Sequence, residues 1–245
     1  DGYVAVARGK PEHMVGNLHP IYPEVVEHWL GKVRFCIERG VDGVDFRTAN
    51  HTRSSEPWEY GFNAPVLEKT EGSLNRADVA RVNGRAYTEF LRRAGALLAD
   101  HGRSTGVHLH ATMLRPDDRP GRLGNIPRNF EWEWEIWIRE IADTVVVRGL
   151  HQLRDHNAAE VLDAFCSVAG EAPTPLVYQS TNKEVRFEGD HDRIGWEMDL
   201  ARRHSGVGAY QLYETANFTR INQEGGVEGS GEIAEVVRQR FHGRY

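Results

Sequence analysis

The sequence predicts an α/β chain of the (β/α)8, TIM-type barrel class, in which parallel strands alternate with crossover helices. Three observations carry this. Short β-rich runs alternate with longer helical patterns along the chain, which points to parallel strands. The connections from a strand to the next helix are long, whereas the return connections are short; in α/β barrels the long ones build the functional face. No Gly-rich phosphate loop follows any strand, which disfavours the doubly wound open sheet.

The expected strands are residues 2–7, 41–47, 105–111, 143–149, 175–180 and 206–213. The clearest helix is 23–39, where Val26, Trp29, Leu30, Val33 and Ile37 form one apolar stripe. Pro23 suits its first turn, and Gly40 suits a left-handed position past its end. Residues 76–101 repeat that logic with Val79, Val82, Ala86, Phe90, Ala94 and Leu97, and Gly102 stops the helix. Segments 131–142, 157–169, 190–204 and 231–242 complete the series. The first of these opens on EWEWEIWI, which alternates like a strand, but its length and later spacing favour a helix.

The long strand-to-helix connections run from Thr48 to Asn75, Thr112 to Phe130 and Glu214 to Ser230. Six strands fall short of eight, and two further βα units need about 60 residues at roughly 30 each. The expectation is therefore one barrel domain over residues 1–245 that lacks its first one or two units.

Composition narrows the function. The 30 Lys and Arg residues against 36 Asp and Glu give a net charge of −6, which argues against neutralising nucleic-acid phosphates or lying on anionic lipid. Two cysteines, Cys36 and Cys166, provide neither a disulfide framework nor a Cys-rich zinc module. No apolar run approaches the roughly 18 residues of a membrane helix. No nucleotide-cofactor signature is present, so no cofactor is expected.

The sharpest local feature is the strand ending Asp45-Phe46-Arg47. Alternation sets Val44 and Phe46 on the helix-facing side and Asp45 and Arg47 on the other. An acid so placed needs a partner, and Arg47 or Arg148 could supply it. In the next strand the same parity groups His108 with His110, suited to hydrogen-bonding a polyhydroxy ligand or to holding a metal with Asp45 and Glu214 as further ligands. Arg148 and Gln179 close the fourth and fifth strands, with Tyr178 beside Gln179, and Tyr213 precedes Glu214 at the end of the sixth. The 48–75 connection clusters His51, Arg53, Glu56, Trp58, Glu59 and Tyr60. Aromatic faces beside carboxylates suit sugar rings, although loop tryptophans also serve as packing anchors.

At this point the residues carry a resemblance. NLHPIYPEVVEHWLGKVRFCIERGVDGVDFR, YGFNAPVLEKTEG, AYTEFLRRAGALL, VHLHA and QLYETANF resemble segments of the family-10-like glycosyl hydrolases, a bacterial group of TIM-type barrels. The likeness runs from about residue 15 to 240 through loose motifs. Departures are Asn17-Leu18-His19-Pro20 where Asn-Pro is usual, Val26 where Arg is common, and Arg47 two positions after Asp45. The resemblance implies a barrel, hydrolysis of a carbohydrate substrate, and Asp45 as the matching strand-end acid.

The leading expectation is thus a glycoside hydrolase with a carboxylate pair: Asp45 with Glu56, Glu59 or Glu214. Arg47, His51, Trp58, His108, His110, Arg148, Tyr178, Gln179 and Tyr213 would contact substrate. Two alternatives stand beside it. One is a metal-dependent hydrolase or isomerase using His108 and His110; the other is a non-catalytic carbohydrate-binding barrel in which Arg47 holds Asp45 in a permanent ion pair.

Overall fold

The computed structural model describes residues 3–6, 13–48, 60–113, 129–148, 155–172, 174–180, 191–213 and 218–241. The chain divides into two compact units: Asp1–His108 with Arg115–Asp143, and Leu109–Leu114 with Thr144–Tyr245. Five strands stand in one sheet in chain order, and the pairings within each unit are parallel. This is an α/β fold of the kind the alternation predicts.

In the first unit, β1 (Val4–Val6) pairs antiparallel with β2 (His13–Leu18). The expected strand at residues 2–7 therefore does not join the parallel sheet, and the reason lies in its hydrogen bonds. Val6 O accepts from Gly61 N and Phe62 N, while Asn63 Oδ1 accepts from Val6 N and Asn63 Nδ2 donates to Val4 O. With β2 on one edge and residues 61–63 on the other, β1 has no backbone groups left for a further strand.

Helix α1 (Pro23–Glu38) buries Val25, Val26, Leu30 and Val33. Its apolar stripe is narrower than expected, because Trp29 is 44% exposed. The helix closes on Gly40 at φ 76°, with Gly40 N donating to Ile37 O, as the left-handed position requires. Strand β3 (Gly43–Phe46) pairs with β4 (Ser104–His110). Between them lie α2 (Ala64–Lys69), a short helix inside the long connection that periodicity did not reveal, and α3 (Arg76–Ala99). Asn75 caps α3 by accepting from Ala77 N at 2.8 Å. Phe46 meets Phe90 of α3 edge-on, with ring centroids 5.6 Å apart, so the helix-facing parity of β3 is that expected.

Helix α4 (Trp134–Ile136, widening to a π turn over Trp137–Ile141) begins three residues later than the helix expected over 131–142. Ala142 N donates to Trp137 O, a five-residue step that sets the wider turn. Asp143 then ties the segment to the start of β4: its N–H donates to Thr105 O and its carboxylate accepts from Thr105 N, both at 2.8 Å.

The second unit carries β5 (Thr144–Arg148), α5 (Asp155–Glu171), β6 (Leu176–Gln179), α6 (His191–Arg203) and β7 (Val207–Gln211). A hairpin of β8 (Thr219–Ile221) and β9 (Val227–Gly229) precedes α7 (Gly231–Phe241). Sequence spacing does not show this hairpin, since three-residue strands carry no measurable alternation. Asn222 makes its turn, its side chain accepting from Glu224 N and Gly226 N. Ile194, Met198 and Ile233 form a core between α6 and α7, against which Tyr210 and Leu212 pack.

Candidate functional site

The site begins with a pair of strand positions. Asp45 stands opposite Gly106 in the β3–β4 register, and His108 lies two residues further along the same face of β4. Gly106 has no side chain to occupy the space over which the carboxylate lies: a Cβ there would sit 3.0 Å from Asp45 Oδ1. The carboxylate reaches diagonally, and its Oδ2 accepts a hydrogen bond from His108 Nε2. The imidazole is 3% exposed and the carboxylate 46%. A buried donor thus fixes one oxygen of a half-exposed acid at the carboxyl ends of two parallel strands. His108 Nδ1 is buried without a partner among the described residues.

The expected partner of Asp45 was an arginine; the imidazole of His108 takes that place. Arg47 follows just past the end of β3, at an exposed position.

Close by lies an aromatic cluster that sequence spacing did not reveal. Tyr87 of α3 meets Trp132 edge-on at 5.6 Å and Phe90 at 6.0 Å. Trp132 stacks on Phe130 at 5.1 Å, and Trp137 anchors the group by donating from Nε1 to Thr88 Oγ1 at 2.8 Å. Burial pushes the Tyr87 hydroxyl well above its ordinary range, and the negative charge of Asp45 adds to the shift. Tyr87 and Phe90 lie about forty positions before Phe130, Trp132 and Trp137, so local spacing does not show their meeting.

Beneath Phe130 is a buried polar network. Asn83 Nδ2 donates to Gly61 O and Asn129 O, and Asn129 Nδ2 donates to Tyr60 O. His19, packed against Phe130 at 5.5 Å, accepts from Ile21 N at Nδ1. Burial lowers its pKa to about 4, against a weaker opposing influence of the nearby Asn83 side chain. Neither His19 Nε2 nor Asn83 Oδ1 reaches a partner in full hydrogen-bonding geometry.

The second unit carries its own row of polar groups at strand ends. Tyr178 and Gln179 of β6 register with Tyr210 and Gln211 of β7, and Arg148 comes one position after Val147, the partner of Tyr178. Gln179 Nε2 donates to Gln211 Oε1 at 3.0 Å, and the Arg148 guanidinium lies 6.0 Å from the Tyr213 ring centre. Tyr178 faces the other way. It stacks on Tyr210 at 5.4 Å, whose hydroxyl donates to Glu197 of α6.

His110 is buried at the end of β4. Among the described residues no group of three or more His, Cys, Asp or Glu side chains converges as metal ligands, and His108 Nε2 is engaged by Asp45. The candidates His51, Glu56, Trp58, Glu59 and Glu214 lie outside the described residues. Among those described, no helix is long and apolar enough to cross a membrane.

No family model matches the chain, and no curated protein matches it in sequence. Its fold is similar to that of the glycoside hydrolase domain of PgaB (BpsB) from Bordetella bronchiseptica, with a TM-score of 0.52 at 10% identity. The match covers 87% of this chain and 65% of that one, so the chain spans about two thirds of the length of the domain it matches. The likeness is one of fold: an α/β arrangement with a parallel sheet and helices, shared with a domain of glycosidase type.

Proposed function

We propose that the chain is a glycoside hydrolase domain, cleaving glycosidic bonds of an oligo- or polysaccharide, with Asp45 as one member of its carboxyl pair. The observation that carries this is the carboxylate of Asp45 at a strand carboxyl end, fixed by the buried His108 imidazole and left half exposed. Strand carboxyl ends are where α/β barrels hold their reacting groups. The fold likeness to a glycoside hydrolase domain supports the same reading, as does the carbohydrate-directed resemblance of the motifs.

A carboxylate oriented in this way serves as the nucleophile of a retaining enzyme or the base of an inverting one. Its second oxygen lies over the bare Cα of Gly106. For the partner carboxyl group we take the sequence candidates Glu56 and Glu59 of the connection that follows β3.

The test is a panel of oligosaccharides with reducing-end detection. Wild-type protein hydrolyses at least one member, and Asp45→Asn lowers turnover by about 10³-fold with thermal unfolding nearly unchanged. Full activity in Asp45→Asn removes Asp45 from the reaction.

A further inference from the structure

In the first unit a buried polar chain runs from the end of β2 to the ends of two long connections, and its atoms fix one another's roles. Asn83 of α3 uses both Nδ2 hydrogens, on Gly61 O at 3.1 Å and on Asn129 O at 2.8 Å, so its Oδ1 is left to accept. His19 Nδ1 accepts from Ile21 N at 3.1 Å, so the neutral ring carries its proton on Nε2 and is left to donate. The two remaining atoms are complementary. Both are buried, and the Asn83 side chain lies near enough to influence the imidazole. Asn129 continues the chain, donating from Nδ2 to Tyr60 O at 2.8 Å and accepting from Arg76 Nε at 3.2 Å. Tyr60 and Gly61 lead into α2, at the end of the connection that follows β3; Asn129 leads toward α4, at the end of the one that follows β4. Strand-to-helix connections of this kind carry the function of α/β folds.

We propose that His19 is a pH-sensitive clasp on the ends of these two connections: the neutral ring closes it, and protonation opens it while β4 stays in the sheet. The clasp is independent of the glycosidase reading of Asp45. Protonation adds an N–H at Nδ1, where it meets the N–H of Ile21, and two donors cannot share that contact. The new charge is also poorly placed. The ring is 1% exposed, with Phe130 packed against it at 5.5 Å and Tyr22 of α1 edge-on at 6.4 Å. Other titratable or charged groups around it are Tyr3 of β1, beside Tyr22 at 5.3 Å, Tyr60, and Arg76 of α3, which reaches it through Asn129. The Glu131 carboxylate turns to solvent, 4.0 Å from Arg81 Nε. Burial accordingly lowers the imidazole from 6.5 to about 4, against the weaker influence of Asn83. Opening is therefore favoured progressively as pH falls from 6.5 toward 4.

Native-state hydrogen exchange by NMR, with rates corrected for the intrinsic effect of pH, tests this on the whole chain. The amides of Gly61 and Phe62, bonded to Val6 O, and of Glu131, bonded to Ala80 O, report on the clasp. The amide of Val107, in the buried middle of β4, reports on the sheet. Between pH 7.0 and 4.5 the protection of the three clasp amides is expected to fall about fiftyfold. At pH 4.5 they exchange faster than Val107, through local opening. His19→Asn keeps an acceptor for Ile21 N and has no imidazole to protonate, so its clasp amides lose much less. At pH 7.0, long-range proton–nitrogen spectra of the wild type show His19 with its proton on Nε2.

Protection of the clasp amides that does not change with pH overturns the proposal, as does a proton on Nδ1 at pH 7.0. Clasp amides that exchange no faster than Val107 at pH 4.5 also overturn it, because only unfolding of the sheet then frees them. An equal loss of protection in His19→Asn assigns the opening to another group, and the clasp falls with it.

Discussion

Asp45 lies against the bare Cα of Gly106, close enough that an added Cβ would stand 3.0 Å from its Oδ1 and 3.3 Å from its own Cβ. The carboxylate can yield, since it is half exposed, but only by leaving the position in which His108 holds it. Gly106→Ala is therefore expected to lower turnover about tenfold, since sub-ångström misplacement of a reacting group is costly. Unfolding temperature should move little. A variant equally active on every substrate would show that the position of Asp45 is not set by this contact.

The Asp45–His108 pair separates orientation from stability. With the carboxylate 46% exposed, solvent screens the interaction, and its contribution to folding is at most about 1 kcal/mol. A double-mutant cycle with Asp45→Asn and His108→Gln, read by urea unfolding, should give a coupling no larger than that. Read by kcat/KM on the best substrate of the panel, the double variant should be no worse than Asp45→Asn alone, because the imidazole acts through the carboxylate. Additive losses in activity would give His108 a role of its own.

How much of this was legible in the chain depends on range. Strands β3 to β7 follow from two-residue alternation, and the placement of Asp45 and His108 on one face follows from the same parity. The antiparallel fate of β1 was hidden, because it is decided by Asn63 and by the backbone of residues 61 and 62 rather than by β1 itself. The stacking of Tyr178 on Tyr210 is likewise a meeting across strands, which the local outline of Tyr178 and Gln179 does not report. The ring cluster of Tyr87, Phe130, Trp132 and Trp137 joins a helix to a distant segment, and no local pattern reports such a meeting. Trp29 matches the apolar period of α1 yet is 44% exposed, since periodicity ranks faces of a helix and not what covers them.

His19 makes stability depend on pH. Burial holds its pKa near 4 in the folded chain against an ordinary value of 6.5, so between those values the unfolded chain binds a proton that the folded chain refuses. Its neutral form is accommodated fully above pH 6.5, and stability falls as pH drops from 6.5 toward 4, by about 3 kcal/mol in all. Urea unfolding at pH 7.0 and 4.5 checks this. The loss in wild type should exceed that in His19→Gln, which has no imidazole to protonate; equal losses would assign the acid sensitivity to other groups.

Two glycines on helices should respond to alanine with opposite signs. At Gly84 of α3 an added Cβ would stand 1.9 Å from Glu131 O and 2.8 Å from Glu131 C. That backbone cannot withdraw, because Glu131 N donates to Ala80 O and Asn83 and Asn129 tie the same segment to residues 60 and 61. Gly84→Ala gains about 1 kcal/mol in helix propensity, yet overpacking against fixed backbone costs more, leaving a net loss of about 2 kcal/mol. Gly31 of α1 has open space where its Cβ would be, so Gly31→Ala keeps the propensity gain. It should raise the unfolding temperature by roughly 2–4 °C for a chain of this size. Calorimetry of the two variants reads both signs at once, and a stabilised Gly84→Ala would mean that the 129–131 segment does not cross α3 at that turn.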